Sequence, residues 1–451
     1  MQIKGKKILV VGLGATGVAA AKFLAERGGI VSVTDSKDKK ALFPEVKALK
    51  GYNINYFLGG HDEKVFLNQN LIVVSPGVPI QIEPIVKSIK AGIKVISEIE
   101  LAYRFLKKPF IIGITGTNGK TTTTTLIGEF LKKSGFKTFV GGNIGTPLIE
   151  ASSNDFERYV VEISSFQLEA LDKFKTEIGV LLNITEDHLD RYALFKDYAD
   201  AKFNLFKNNL PSAISVLNRD DEIVMDFEKG LKNKKLYFSQ KKFKGSGAYV
   251  YGDFIILLVN NIKEKFPLNE IKIKGAHNRE NIMAALIAGK YAGAKPEVMR
   301  KVLNEFTGLP HRMEYVRNIN GIEFYNDSKG TNVGSVEKSL LSFNKNIILI
   351  MGGKDKGGSY KPLEELVKNK VKKLILIGEA KKRIYDSLGN ITNTEMAVSL
   401  NEAVKKSYIS ANNGDVVLFS PGCSSFDMFK DYKERGNTFK KLVTELKDDK
   451  K

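Results

Sequence analysis

The segment Phe110-Ile111-Ile112-Gly113-Ile114-Thr115-Gly116-Thr117-Asn118-Gly119-Lys120-Thr121 constrains the chain more than any other. An apolar run ends in a loop of small residues, and a lysine and a hydroxyl follow where a helix begins near Lys120. Loops of this kind turn backbone N–H groups toward one point, with the lysine set for phosphate oxygens and the hydroxyl for Mg²⁺. The strict pattern GxxxxGK[ST] would need glycine at position 114, so Ile114 makes this loop a variant. A strand before it and a helix after it require layered α/β structure with a mostly parallel sheet.

The same alternation of strand-like and amphipathic stretches runs almost from end to end, in three systems. The first, residues 1–108, opens with Lys7–Val11 and closes at Lys107-Lys108-Pro109. The second, 109–311, opens with Phe110–Ile114. It carries short β segments from Leu236 to Lys274 and a helix starting near Asn278. The third, 312–451, opens near Gly321–Tyr325 and includes strands at Asn346–Met351, Lys373–Ile377 and Asp415–Phe419.

With 43% hydrophobic residues in 451, each system has material for a packed core. No apolar run reaches the roughly 18 residues of a membrane span, and the single cysteine, Cys423, excludes an internal disulfide framework. A cytoplasmic protein without a membrane span is expected. The net charge of +19 raises the question of a nucleic-acid partner. The lysines are scattered, thickening around Lys229–Lys244 without aromatics at stacking spacing, so a solvated lysine-rich surface is expected and no nucleic acid.

Further motifs carry chemistry. Gly12-Leu13-Gly14-Ala15-Thr16-Gly17 follows a strand and precedes a helix, and Asp35 ends the next strand. That arrangement suits NAD, any other nucleotide diphosphate, or a purely structural turn. Ser75-Pro76-Gly77-Val78 reads, alone, as a structural turn. Glu162 ends the apolar strand Tyr159–Val161 and reads, alone, as an ordinary strand-end acid or, with Lys120 nearby, as the metal-facing acid that a nucleotide-binding sheet presents. After the strand Ile178–Asn183 comes Thr185-Glu186-Asp187-His188-Leu189-Asp190-Arg191, whose His188 reads as a metal or phosphate ligand, a helix-start residue or a satisfied polar group. Lys202 borders an apolar helical face made by Phe195, Ala199, Phe203 and Phe206, and there it should snorkel to water.

Together these motifs resemble the Mur ligase family, and within it the D-glutamate-adding branch. The resemblance lies in Thr115–Thr121, Glu162–Leu168, Asn183–Asp190, Gly275–Asn281, Leu309–Glu314 and Asn326–Asn332, in this order over nearly the whole chain. Gly12–Gly17, Thr34–Ser36, Ser75–Gly77, Gly141–Gly145 and Ser420–Asp427 are similar to signatures of the D-glutamate branch, although Ala15 and Ser36 stand where other residues are common.

The resemblance implies a Rossmann-like N-terminal domain, a P-loop-type central ATPase domain and a Rossmann-like C-terminal domain. It implies that ATP, with two Mg²⁺ ions, activates the carboxylate of UDP-N-acetylmuramoyl-L-alanine as an acyl phosphate for attack by D-glutamate. Ala15, Thr16, Asp35, Ser36, Ser75, Pro76, Gly77 and Asn143 would bind the UDP-sugar. Gly116, Thr117, Asn118, Gly119, Lys120, Thr121, Asn278, Asn281, Arg312 and Asp327 would bind ATP, with Lys120, Glu162, His188, Lys202 and Lys329 catalytic. Thr121, Glu162, His188 and Lys202, the lysine as a carbamate, would hold metal. Thr331, Lys356, Ser425 and Phe426 would bind D-glutamate. A monomer is expected, whose third domain closes over bound nucleotide. Folylpolyglutamate synthase is similar in its ATPase and third domains but lacks a UDP-binding first domain.

Overall fold

Runs rich in Val, Ile and Leu, punctuated by glycine, become the strands of three sheets. The computed structural model describes residues 1–189, 191–344 and 346–447, so Asp190 lies outside the described residues. The first sheet comprises β1 (Lys7–Val11), β2 (Ile30–Asp35), β3 (Ile54–Leu58), β4 (Leu71–Val74) and β5 (Lys94–Ser97). All five are parallel in the order β3-β2-β1-β4-β5. The order reverses between β1 and β4, which opens a crevice at their carboxyl ends.

The second sheet has nine strands: β6 (Ile111–Thr115), β7 (Thr138–Gly142), β8 (Arg158–Glu162), β9 (Ile178–Leu181), β10 (Ile214–Asn218), β11 (Lys234–Ser239), β12 (Gly247–Tyr251), β13 (Phe254–Val259) and β14 (Ile262–Pro267). Their order is β14-β13-β12-β11-β10-β9-β6-β8-β7, parallel except for the meander β12-β13-β14 at one edge. Every residue of β6 and β9 is buried, as expected of central parallel strands covered on both faces.

By its contacts the chain divides into two compact units. One holds residues 1–184, 196–268 and 280–302, and therefore the first two sheets; the other holds 185–195, 269–279 and 303 onward. The first two sheets share a unit because polar staples join them. Glu100 Oε2 accepts from the backbone N–H groups of Asp172, Lys173 and Phe174 at 3.0, 2.9 and 2.8 Å. Ser97 N donates to Ala170 O at 2.9 Å, and Ile149 N donates to Glu98 Oε1 at 2.7 Å.

The second unit is built on β15 (Glu314–Ile319), β16 (Ile322–Asn326), β17 (Ile347–Gly352), β18 (Val371–Ile377), β19 (Asn393–Met396) and β20 (Val416–Phe419), in the order β15-β16-β20-β17-β18-β19. The period of two along β17 sorts its side chains to opposite faces. Ile348 and Ile350 pack with Phe324, Val417 and Phe439, whereas Ile347, Leu349 and Met351 pack with Leu340, Leu363 and Leu374. The sheet opens at Glu314, earlier than the apolar run near Gly321 indicates, because β15 is an antiparallel edge strand with a largely half-exposed face.

Candidate active site

β6 delivers the phosphate-loop candidate at its carboxyl end. Gly116 has φ +147° and Gly119 φ +87°, conformations that favour glycine. Asn183 fastens the loop on two sides. Its carbonyl accepts from Thr117 N at 2.9 Å, and its side chain accepts from Asn118 N at 2.8 Å while donating to Asn118 O at 3.1 Å. Thr117 Oγ1 lies 3.1 Å from the Tyr198 hydroxyl. Gly119 caps the helix Lys120–Lys133 without a side chain, so the N–H groups of its first turn point out past the loop. Asn281 stands against it: a Cβ at position 119 would lie 2.0 Å from Asn281 Oδ1.

Lys202 corrects the expectation of a snorkelling side chain. It is 2% exposed, and Nζ donates to Gly116 O at 3.0 Å while lying 4.4 Å from the Tyr198 ring centroid. The helix Phe195–Phe203 turns Lys202 toward the loop together with Tyr198, so periodicity placed it rightly at the border of an apolar face but not on its wet side. Lys120 Nζ donates to the same Gly116 O at 2.7 Å and to Thr117 O at 2.8 Å. Two lysine side chains thus converge on one carbonyl oxygen, an arrangement that an anion, or loss of one cation, relieves.

Glu162 ends β8 and is 2% exposed. Its Oε1 accepts from Asn143 Nδ2 at 2.9 Å, and its Oε2 is buried without a hydrogen-bond partner. A buried, unpartnered carboxylate oxygen at a strand end beside a phosphate loop fits a divalent cation, which takes oxygen ligands and shares phosphate. Asn143, expected at the UDP-sugar, has its amide on Glu162.

In the first sheet, the ends of β1, β2 and β4 meet. Asp35 accepts from Leu13 N at 2.8 Å through Oδ2 and from Lys37 N at 2.9 Å through Oδ1. Ser75 Oγ donates to Gly12 O at 2.7 Å. Gly12 has φ +88°, and a Cβ at Gly17 would lie 2.0 Å from Gly12 O. A Cβ at Gly14 would meet no atom within 4 Å. Ala15 and Thr16 form the first turn of the helix Ala15–Glu26, Ser36 follows Asp35 directly, and Pro76 and Gly77 follow Ser75 in the turn closed by Val78 N on Ser75 O at 3.0 Å.

In the second unit, Thr331, Asn332 and Lys356 line a cavity of about 180 Å³ together with Thr185, Glu186, Asp187 and Tyr360. Lys356 Nζ donates to Asp187 Oδ1 at 3.0 Å, and Asn332 Nδ2 donates to Asp187 Oδ2 at 2.9 Å. Burial would raise the Asp187 carboxyl, but Lys356, then His188 and Asn332, outweigh it and hold it down at about 2. His188 starts no helix: it has φ +57°, with Nε2 3.7 Å from Asp187 Oδ2. Ser425 and Phe426 do not line this cavity; Ser425 is buried and Phe426 is 69% exposed.

Asp327 is enclosed: Ser420 Oγ and Ser339 Oγ donate to its Oδ2 at 2.7 and 2.8 Å, and burial pushes its carboxyl up to about 6. Lys329 Nζ lies 3.8 Å from the Tyr432 ring centroid. Asn278 Nδ2 donates to Lys274 O at 2.8 Å in the first turn of the helix Ala276–Tyr291. Burial, then Lys338, Arg312 and Arg279, lower the neighbouring His277 ring to about 4, which marks Arg312 as one of three cations there. Sequence reasoning passed over Tyr198 and left Asn183 and Asp187 as motif positions without roles. Their signal was proximity to His188 and Lys202, but the partners that define them lie far along the chain.

A phosphate loop on a parallel sheet, with a buried acid and two lysines gathered at it, defines a nucleotide-dependent phosphoryl-transfer enzyme. The MurD-like N-terminal domain of Mur ligases matches residues 6–97, the Mur ligase middle domain 114–289, and the Mur ligase glutamate ligase domain 311–423. UDP-N-acetylmuramoylalanine–D-glutamate ligase of Geotalea daltonii is 53% identical over 448 residues, covering 99% of each chain. The protein of the same name from Geobacter metallireducens is 50% identical over 448 residues, again covering 99% of each. The chain belongs to the Mur ligase family. Among solved structures, a pseudomurein peptide ligase type C from Methanothermus fervidus is similar in fold with a TM-score of 0.64 at 21% identity, covering 98% of this chain and 100% of that one. A MurF ligase from Thermotoga maritima in complex with ADP gives 0.59 at 17%, covering 98% and 96%.

Proposed function

We propose that the chain joins D-glutamate to UDP-N-acetylmuramoyl-L-alanine at the expense of ATP, a step of peptidoglycan precursor synthesis. The chain is an ATP-dependent acid–D-amino-acid ligase. A carboxylate oxygen of the alanyl group attacks the γ-phosphorus of ATP and ADP departs. The amine of D-glutamate then attacks the acyl carbon, phosphate leaves, and the nitrogen gives up a proton. Both partners of the first step are anions, so the protein's work is to gather positive charge and to hold the reactants in line.

The observation that carries this reading is the convergence of Lys120 and Lys202 on Gly116 O. Released from that carbonyl, the Lys120 ammonium would meet the β- and γ-phosphates. Lys202 as a carbamate becomes an anion and removes the repulsion between the pair. Glu162 and Thr121, with the Lys202 carbamate, would hold Mg²⁺, which supplies charge neutralisation at the phosphates. His188 is assigned to the second ion. Asn281 beside Gly119, with Asn278, Arg312, Asp327 and Lys329, is assigned to the nucleotide.

The crevice of the first sheet, with Asp35 and Ser75 bracing its glycine loop, is assigned to the UDP-sugar, along with Ala15, Thr16, Ser36, Pro76, Gly77 and Asn143. Thr331 and Lys356 are assigned to D-glutamate, whose second carboxylate suits a lysine. Ser425 and Phe426, which lie outside the cavity lined by Thr331 and Lys356, are assigned to the same substrate. Functional domains at 1–108, 109–311 and 312–451, a monomer and a cytoplasmic location accompany this reading.

The deciding experiment follows phosphate release by the purified chain with ATP, Mg²⁺ and UDP-N-acetylmuramoyl-L-alanine, comparing D-glutamate with L-glutamate, L-alanine and diamino acids. Release that requires D-glutamate, with a product one glutamyl residue heavier, is expected. Release with another amino acid would move the assignments around Lys356, and none with any acceptor would overturn the ligase reading.

A further inference from the structure

The lysine-rich stretch after Lys229 has no aromatic spacing along the sequence, yet the fold supplies one in space. The strands β12 and β13 form a hairpin with the two-residue turn Gly252-Asp253, in which Tyr251 pairs directly with Phe254. Residues paired across an antiparallel ladder share a face, so the two rings stand side by side at the hairpin end. Both face solvent: Tyr251 is 58% and Phe254 37% exposed. A cation flanks each ring, with Lys242 Nζ 4.8 Å from the Tyr251 centroid and Lys265 Nζ 5.7 Å from that of Phe254.

Lys241 precedes Lys242 in the loop between β11 and β12, so lysines outnumber the one carboxylate of the turn, Asp253, at this end of the hairpin. Two protruding rings bracketed by long cationic side chains match the interface of a bilayer. There aromatic rings sit at headgroup depth, and lysines extend to anionic phosphates. We propose that this hairpin end docks the chain on an anionic phospholipid surface, peripherally and reversibly. A single strand of nucleic acid fits less well, because it needs rings spaced along a basic groove, and here two adjacent rings form a tip.

The test is co-sedimentation of the full chain with vesicles of phosphatidylcholine alone and of an equal mixture with phosphatidylglycerol. Binding to the mixed vesicles only, weakened by salt, is expected. Replacing both Lys242 and Lys265 by alanine should weaken it about 25-fold, each lysine near such a surface counting about fivefold. Tyr251→Ser with Phe254→Ser should abolish it, with ligase activity in solution unchanged in both variants, which also reports an intact fold. No binding to mixed vesicles at low salt, binding indifferent to these substitutions, or binding to an oligonucleotide in its place would overturn the proposal.

Discussion

The ammonium of Lys356 is hydrogen-bonded to Asp187 at 3.0 Å inside the cavity assigned to D-glutamate. The side chains are 18% and 7% exposed, so the pair is largely withdrawn from water. A substrate carboxylate therefore competes with a resident one. Lys356→Met should raise the KM for D-glutamate at least tenfold and leave that for ATP nearly unchanged. It also strands a buried carboxylate, at a cost of about 3 kcal/mol in urea denaturation. A KM for D-glutamate equal to that of the parent chain would remove Lys356 from substrate binding.

Lys202 offers a chemical rescue. Lys202→Ala should lower kcat by about 100-fold or more, and formate or acetate should restore part of it by placing a carboxylate where the carbamate stood. Labelled bicarbonate should give a carbamate carbon signal in the parent chain and none in the variant. Loss without rescue, in a folded variant, would leave Lys202 as a loop brace only.

Gly119 is held by conformation and by contact together, with φ +87° and Asn281 Oδ1 2.0 Å from a Cβ built there. Gly119→Ala should weaken ATP binding at least tenfold, since the left-handed backbone alone costs about 1 kcal/mol and the clash adds to it. Titration with a fluorescent nucleotide measures this directly.

Glu98 gives a pH dependence. Burial pushes its carboxyl up to about 7, only partly offset by the hydrogen bond from Ile149 N. In the pH range between the ordinary value and 7, the folded chain holds a proton that the unfolded chain has lost. Stability therefore falls as pH rises through this window, by about 3 kcal/mol in all. Glu98→Gln should remove that slope, raising Tm by several degrees at pH 8 and little at pH 5 in calorimetry. A parallel shift at both values would assign the effect to packing.

The phosphate loop, Glu162 at the end of β8 and Asp35 at the end of β2 were legible because each is a local event, a strand giving way to a turn within a few residues. The burial of Lys202 was not, since a helical period locates a border without saying which neighbour covers it. Nor was the Asp187–Lys356 pair, whose members are 169 positions apart. The staples of Glu100 to residues 172–174 likewise join parts of the chain that local patterns treat as separate. What escaped is long-range polar pairing, which leaves no periodic trace.

The three glycines of the first loop are not equivalent, and a randomised library would sort them. Position 17 should return one letter, because any side chain there collides with the backbone at Gly12, and position 12 should be nearly as strict. Position 14 should accept many letters in a screen for folding alone, since a Cβ meets no protein atom there. It should narrow to glycine only when survival depends on the ligand, so the contrast between the two screens would outline the ligand's edge without a bound structure.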